Sequence, residues 1–353
     1  MSMDRELLMG VIEAGIKAPS GDNCQPWRFR LLQDGIQVIN DGPRDTSLYN
    51  ANNIASYIAH GALIENMRIS AATIGRDTVI RLFPSGGVDG VVACLEFKKS
   101  DVKADRLLPQ IERRCTNRRA YKKTPLPGNA AEALRGCAGS IGGGEVFLVE
   151  GRTEMETAAK AASLNDRLLF ENRRLHDFLF EHIRWSKKEA EECGDGLDIR
   201  TLGLNALQRM AFRAMRQWQA VRIANLCGFS RIAQSGSYRL CAGSSALGMI
   251  LMDGTSDNAF VQGGRLLQRV WLTAASLGLA FQPMTGVTFL IQRLRMAGGE
   301  GLNEGHRELL RKAEKDLLTV FPMEKGRAVI MLFRVGYAPE PVRSLRRAAM
   351  LME

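Results

Sequence analysis

Apolar side chains recur along the chain in two similar blocks of helix-like and strand-like runs. In the first block, residues 61–75 repeat apolar positions at helical spacing and end in Gly75, a residue type that commonly ends helices. Two strand-like runs follow at 78–83 and 91–97. The pattern predicts an amphipathic helix followed by two strands of a sheet.

The second block, residues 264–278, has the length of the first, glycines at both ends and a central Ala-Ala pair in the same place. Strand-like runs follow it as well, at 279–282 and at 328–335. Two amphipathic helices rich in small residues can resemble each other by coincidence, but here the strands that follow match too. We therefore predict an internal repeat, in which one α+β unit occurs twice in the chain.

Further runs precede each block. In the first half, a helix-like run at 5–17 leads into a polar loop, and a strand-like run at 28–39 leaves it. The second half reaches its corresponding strand at 146–150. We expect the first half to span residues 1–105 and the second half to span residues 106–353.

The second half is longer because it carries an insert, about residues 153–253, that is helical in pattern. Within it, residues 209–222 combine arginines with Met210, Phe212 and Trp218. This stretch can be a lid over a pocket, a basic surface for nucleic acid, or an amphipathic helix with a solvated basic face. No known nucleic-acid motif occurs in it, which favours the first and third alternatives.

Composition is that of an ordinary globular protein, with 45% hydrophobic and 24% charged residues among 353. No apolar run is long enough to cross a bilayer, and the first residues lack the layout of a secretory signal, so we expect a cytoplasmic protein. The seven cysteines are scattered and the four histidines dispersed, which fits reduced thiols and no metal site. The net charge of +10 indicates an anionic partner, either nucleic acid or small molecules that carry phosphate.

The densest group of small polar side chains lies in the opening loop, residues 18–29, which reads Ala-Pro-Ser-Gly-Asp-Asn-Cys-Gln-Pro-Trp-Arg-Phe. Pro19 should stop the preceding helix, because it lacks an N–H group and disfavours helical geometry in the residue before it. Ser20, Asn23 and Gln25 can hydrogen-bond to exposed backbone or to a ligand. Local chemistry alone allows either a capped helix-to-strand loop or a ligand-binding loop.

The order of residues in the opening loop resembles the flavin-contacting loop of the nitroreductase superfamily. The resemblance implies an FMN-binding α+β protein of nitroreductase fold, with two pseudo-symmetric halves in one chain and a helical insertion in the second half. In that superfamily two subunits build each flavin site, one supplying the loop and the other an arginine segment for the phosphate. Residues 113–121 resemble that segment, with one residue more before the aromatic. Because each half keeps a different part, the chain resembles the single-chain, fused-dimer (Acg-type) branch, with one complete flavin site.

The resemblance also implies which residues contact the cofactor. The loop after the second repeat helix resembles the one whose backbone N–H faces flavin N5, and the arginines after the last strand resemble a basic pair near the phosphate. The implied cofactor-binding residues are Pro19, Ser20, Gly21, Asn23, Gln25 and Trp27, then Arg114, Thr116, Arg118 and Arg119, then Pro283, Met284, Thr285 and Gly286, and finally Arg346 and Arg347.

In function, the resemblance implies an oxidoreductase that passes electrons from NAD(P)H to an electron-poor acceptor such as a nitroaromatic or a quinone, in two half-reactions. The flavin carries the electron chemistry, so no catalytic side chain is implied. The alternative is a protein that sequesters FMN with little or no turnover, since a helical lid would exclude nicotinamide. A nucleic-acid-binding protein would explain the charge but not the repeat. We expect a small-molecule substrate, no nucleic-acid or membrane partner, and either a monomer with an internal pseudo-twofold or a homodimer.

Overall fold

The computed structural model of the chain describes residues 4–87, 89–324 and 326–352, which fold into α-helices and mainly antiparallel β-strands. The helices are α1 (Arg5–Gly15), α2 (Ile54–Thr73), α3 (Leu108–Arg113), α4 (Gly128–Gly136), α5 (Arg152–Glu171), α6 (Arg173–His182), α7 (Lys187–Cys193), α8 (Ala206–Ala214), α9 (Trp218–Leu226), α10 (Phe229–Ala242), α11 (Asp257–Ser276), α12 (Thr285–Ala297) and α13 (Glu304–Leu318). The strands are β1 (Trp27–Leu32), β2 (Gly35–Asn40), β3 (Arg76–Leu82), β4 (Val91–Lys99), β5 (Gly144–Val149), β6 (Ile183–Arg184), β7 (Leu197–Asp198), β8 (Ala246–Asp253), β9 (Ala280–Pro283) and β10 (Arg327–Gly336).

Two four-stranded sheets have the same strand arrangement. The first follows the order β1-β2-β4-β3 and the second the order β5-β8-β10-β9, and every neighbouring pair in both is antiparallel. Each sheet packs against one long helix, α2 or α11, and both helices have 20 residues. The α+β fold with two similar halves, predicted from the repeat, is confirmed. The limits of the halves, at residues 105 and 106, stay a prediction.

Three stretches differ from their sequence-based predictions. The run at 28–39 is two strands rather than one, because the chain reverses between β1 and β2 in a tight hairpin. Residues 246–253, which fall inside the predicted insert, form β8, an inner strand of the second sheet. The arginine-rich run at 209–222 is divided between α8 and α9, because Gln217 has an extended backbone conformation.

The two halves meet where α2 crosses α11, with a glycine of each helix at the crossing. A Cβ atom at Gly61 would lie 2.0 Å from the carbonyl oxygen of Val261, and one at Gly264 would lie 2.0 Å from that of Ile58. Gly61 thus faces Val261, three residues before Gly264, and Gly264 faces Ile58, three residues before Gly61. The contact is the same from either helix, as a twofold relation between the halves requires. Only residues without a side chain allow the two backbones to approach this closely.

Replacing Gly61 with alanine is expected to lower the free energy of unfolding by about 1–3 kcal/mol, because the added methyl group must push α2 away from α11. Urea denaturation followed by circular dichroism measures the change. Gly10→Ala is the matched control, since Gly10 is exposed in α1 and its Cβ position has no neighbour within 4 Å. The control should be neutral, or stabilising by up to about 1 kcal/mol. Equal stability of the two variants would contradict the close crossing.

A buried carboxylate lies beside this crossing. Glu65 in α2 is fully buried, and its oxygens accept hydrogen bonds from Arg68 at 2.8 Å, Arg265 at 3.0 Å and Arg269 at 2.9 Å. Two of these arginines belong to α11, so the cluster ties the two halves together. Burial disfavours the charged carboxylate, but the three arginines outweigh it and lower the pKa of Glu65 below its usual value.

The C-terminal tail, residues 337–352, returns from β10 to the first half. The Phe29 N–H donates to the Met350 carbonyl at 3.0 Å, and the Met352 N–H donates to the Phe29 carbonyl at 2.7 Å. These bonds lie on β1, the edge strand of the first sheet. The end of the second half therefore extends the sheet of the first.

The segment between β5 and β8 consists mainly of helices α5 to α10, which pack with α12 and α13 against the second sheet. Across the described ranges, no helix combines the length and the apolar character that crossing a bilayer requires. Within the same ranges, no group of three or more His, Cys, Asp or Glu side chains is placed to hold a metal ion.

Candidate functional site

A cavity of about 640 Å³ lies where the opening loop, the segment after α3 and the C-terminal tail meet. Its volume is within the usual range for small-molecule sites, about 300–1,000 Å³. Segments far apart in the sequence, each predicted to contact a cofactor, therefore surround one space. The predicted residues that line it are Pro19, Ser20, Asn23, Arg114, Thr116, Arg118, Arg346 and Arg347.

The remaining predicted residues lie outside this lining. They are Gly21, Gln25, Trp27, Arg119, Pro283, Met284, Thr285 and Gly286. Trp27 is buried in the core of the first half, with its ring edge-on to that of His60 at 6.3 Å between centroids. Arg119 is exposed on the surface. The tryptophan of the loop thus serves the packing of the sheet rather than the wall of the cavity.

Among the described residues, no carboxylate serves as the counterion of two arginines in the cavity. Arg114 is 6% exposed, donates to the Lys17 carbonyl at 2.8 Å, lies over the Trp271 ring at 4.5 Å, and leaves its Nε without a hydrogen-bond partner. Arg346 donates to Asn23 Oδ1 at 2.6 Å, and its Nε is also buried without a partner. Neither guanidinium pairs with a carboxylate in the part of the chain that the structure describes. Because a buried cation is costly without an anion, this arrangement is typical of an anion-binding site.

The same surroundings lower the pKa of these side chains. Burial, with the nearby charge of Arg346, lowers the pKa of Arg114 to about 9. Burial lowers the pKa of Arg346 to about 10. It also lowers the pKa of Arg118, although the Asp22 carboxylate opposes this shift. A bound anion would favour the charged form of all three arginines.

The opening loop has an unusual backbone. Asp22, Asn23 and Gln25 have φ angles of 41°, 58° and 54°, values that residues with side chains rarely adopt. Side-chain hydrogen bonds help to hold it: Asn23 Nδ2 donates to the Gly196 carbonyl at 3.0 Å, and Gln25 Nε2 donates to the Gly194 carbonyl at 2.9 Å. The two amides predicted to face a cofactor therefore bind the insert. Strain of this kind concentrates at functional sites.

Residues 194–203, between α7 and α8, are the part of the insert that reaches the cavity. Leu197 lines it, and Arg118 contacts the Thr201 carbonyl at 3.5 Å. Residues 209–222, considered above as a lid, do not line the cavity. The cover over the opening loop is therefore a short stretch of strand and turn rather than the arginine-rich helices.

The residues predicted to face flavin N5 lie at the start of α12, beneath α5 of the insert. Thr285 is the first residue of α12 and no side chain caps this end, so its first N–H groups have no partner within the helix. A Cβ atom at Gly286 would lie 1.9 Å from Asn165 Oδ1, which accepts a hydrogen bond from the Tyr49 hydroxyl at 2.8 Å. Free N–H groups at a helix start suit an electron-rich ligand atom. Asn165 lies against this helix start.

Sequence reasoning missed Arg334, which positions the arginine segment. It is fully buried in β10, lies over the Tyr121 ring at 4.0 Å, and donates to Gln282 Oε1 at 2.7 Å and to the Arg119 carbonyl at 2.8 Å. The available signal was an arginine inside an otherwise apolar strand, because a buried cation needs dedicated partners. Arg343 of the C-terminal tail, also outside the predicted set, lines the cavity.

No family model matches the chain. In sequence the chain is similar to an uncharacterised protein of Mycobacterium tuberculosis (strain CDC 1551 / Oshkosh), with 28% identity over 346 residues, which are 96% of this chain and 46% of that protein. It is also similar to a protein of the same strain whose name assigns it provisionally as an NAD(P)H nitroreductase, with 26% identity over 140 residues, which are 38% of this chain and 41% of that protein. The chain thus spans about half the length, or less, of the curated relatives it matches.

Among solved structures, the chain is similar to a nitroreductase with bound FMN from Bacteroides fragilis NCTC 9343. The match has 10% identity and a TM-score of 0.38, and covers 70% of this chain and 99% of that one. The fused-dimer branch of the family stays a prediction. The resemblance to nitroreductases that the opening loop indicated is confirmed at the level of sequence similarity, since the chain is similar to a protein named as a nitroreductase.

Proposed function

We propose that the cavity binds FMN through its phosphate and that the chain is an FMN-dependent oxidoreductase. The observation that carries the proposal is the pair of unpaired arginines, Arg114 and Arg346. Their orphaned Nε groups, with that of Arg347, need acceptor oxygens, and a phosphate offers oxygens that match a guanidinium in two parallel hydrogen bonds. The relative named as a nitroreductase supports the redox part of the proposal.

In this proposal Arg114, Arg118 and Arg346 hold the phosphate, and the Thr116 hydroxyl adds a donor. Ser20, which lines the same cavity, would contact the rest of the molecule, and we propose that its ring reaches the uncapped start of α12, which lies outside the lining. When bound, FMN supplies the electron-transfer chemistry, while the residues of the chain bind it, orient it and exclude water. One chain contributes both the opening loop and the arginine segment, so a monomer suffices to build the site.

We infer that NAD(P)H is the electron donor and that the acceptor is an electron-poor small molecule of the nitroaromatic or quinone type. The name of the curated relative supports the donor. Transfer between a nicotinamide and a flavin requires no side-chain acid or base, and no side chain is assigned one.

A second candidate function is the sequestering of FMN without turnover. It is favoured by the hydrogen bonds that Asn23 and Gln25 make to residues 194–203, and by Asn165, which lies against Gly286. In this second proposal the insert covers the surfaces through which a nicotinamide would approach the flavin. This reading differs from the first only in whether a second molecule can reach the bound flavin.

An absorbance spectrum of the purified protein after incubation with FMN, followed by anaerobic addition of NADPH or NADH, separates these functions. We expect a flavin spectrum of about one FMN per chain that is bleached by at least one of the nucleotides. A retained flavin that resists both nucleotides would support sequestering instead. If no flavin is bound, both proposals are wrong.

The affinity for FMN is expected to be constant near neutral pH and to fall above about pH 9. In the ligand-free protein Arg114 loses its proton near that pH, whereas a bound phosphate favours the charged form, so binding at higher pH must take up a proton. Below pH 9 the proton is already present and affinity is unaffected. The dissociation constant should rise by up to about tenfold per pH unit for each proton taken up. Titrations of flavin fluorescence from about pH 7 to pH 10 test this, and a flat profile would contradict it.

A further inference from the structure

The C-terminal tail brings Arg343, Arg346 and Arg347 to the cavity. From residue 338 to residue 350 the tail contains neither helix nor strand, so its position depends on its contacts with other segments. Gln25, which is 1% exposed, makes two of these contacts. Its Oε1 accepts from the Arg347 backbone N–H at 3.1 Å, and its carbonyl accepts from Arg347 Nη2 at 3.2 Å.

Asn23 contacts the same part of the tail. Its Nδ2 donates to the Leu345 carbonyl at 3.0 Å, and its Oδ1 accepts from Arg346 at 2.6 Å. Asn23 also lines the cavity, whereas Gln25 does not. Gln25 therefore holds the tail from behind the wall, without contacting the space that a ligand would occupy.

We propose that Gln25 is a positioning residue of the anion site: it sets the tail so that Arg346 reaches the cavity, and a bound phosphate group in turn fixes the tail in place. This inference rests on the proposed function, because it takes the phosphate of FMN as the anion.

Charge supplies the reason for the second part. Arg114, Arg343 and Arg346 line one cavity. Its lining also holds three carboxylates, Glu13, Asp22 and Glu112, but none of them pairs with Arg114 or Arg346, and Glu112 pairs with Lys17. Like charges in this position repel the tail from the body of the protein, and an anion between them removes the repulsion. Coupling of this kind is reciprocal. If a bound anion stabilises the docked tail by a given factor, then the protein with an undocked tail binds the anion more weakly by the same factor.

Trypsin cleaves after arginine, so Arg346 and Arg347 report directly on the exposure of the tail. The full-length protein is digested without ligand, with FMN and with inorganic phosphate, and cleavage in the tail is timed by mass spectrometry. Affinity for FMN is measured separately by quenching of flavin fluorescence. Gln25→Ala is compared with Gln37→Ala, which removes a glutamine side chain whose partner is Arg30 on the neighbouring strand.

We expect FMN to slow cleavage of the wild-type tail by about 5- to 150-fold. Gln25→Ala should raise the dissociation constant for FMN by about tenfold and should speed cleavage of the ligand-free tail, whereas Gln37→Ala should change neither. Met352→Pro deletes the N–H that bonds to the Phe29 carbonyl, three residues beyond Ala349, the last tail residue that lines the cavity. This variant too should raise the dissociation constant for FMN and speed cleavage of the ligand-free tail. The inference can therefore still be tested if one of the two variants fails to fold.

The inference is overturned if FMN binds the wild type but leaves tail cleavage unchanged, or if both variants bind FMN as tightly as the wild type. If the wild type does not bind FMN, the proposed function fails, and inorganic phosphate then decides the inference alone. Protection of the tail by phosphate supports it, and no protection overturns it.

Discussion

Arg114→Gln is expected to raise the dissociation constant for FMN by about 30- to 1,000-fold, which corresponds to about 2–4 kcal/mol. Arg114 is the most buried of the cavity arginines, and its Nε lacks a partner. Glutamine keeps a polar side chain but removes the charge and the paired donors that match a phosphate. Titration of flavin fluorescence at constant ionic strength measures the change.

Arg222→Gln is the matched control, since Arg222 is exposed on α9 and does not line the cavity. Its affinity for FMN should equal that of the wild type. The loss of FMN in Arg114→Gln should occur without loss of the fold, because the substitution removes a buried cation that pairs with no carboxylate of the described ranges. We expect the ligand-free variant to melt within about 3 °C of the wild type, or higher. Equal affinities of the two variants would show that the phosphate binds elsewhere.

Glu65→Ala is expected to lower the free energy of unfolding by about 3–5 kcal/mol, the largest change in stability predicted for this chain. The substitution leaves Arg265 without a carboxylate partner in the described part of the chain, and leaves Arg68 and Arg269 to share Asp105 alone. Breaking a buried ionic cluster by removing one member costs more than the cluster contributes, because the remaining charges stay desolvated. Urea denaturation measures the loss.

Glu96→Ala is the control for this prediction. Glu96 lies on β4 with a 37% exposed side chain and pairs with Arg81 at 3.4 Å, so its loss should cost about 0–1 kcal/mol.

The pH dependence of stability gives a second check on Glu65. The pKa of Glu65 is lower in the folded protein than in the unfolded chain, where it is about 4.3. Its contribution is therefore complete above that pH and is lost as pH falls through the folded value. The difference between wild type and Glu65→Ala should shrink below about pH 4, and a constant difference would argue against an ionised Glu65.

The sequence by itself determined the two repeat helices and the sheets that follow them. The spacing of apolar residues is a local property, and the same spacing at 61–75 and 264–278 predicts the same kind of helix twice. The glycines that end these runs, Gly75 and Gly278, both have positive φ, as a helix stop requires. Resemblance to a family could add the arginine segment and the opening loop, because both are short runs of residues whose order is specific.

Only the tertiary structure decided what the polar side chains of those runs contact. Asn23 and Gln25 were predicted to face a cofactor, but an amide bonds whichever donor or acceptor the fold places beside it. Here those partners are the insert and the C-terminal tail, the latter 322 residues away from Gln25. Arg334 is a similar case, since its partners come from three other segments. The spacing of apolar residues predicts which face of an element is buried. It carries no information about which polar group from a distant segment will lie beside that element. The contacts between such distant polar groups formed the cavity.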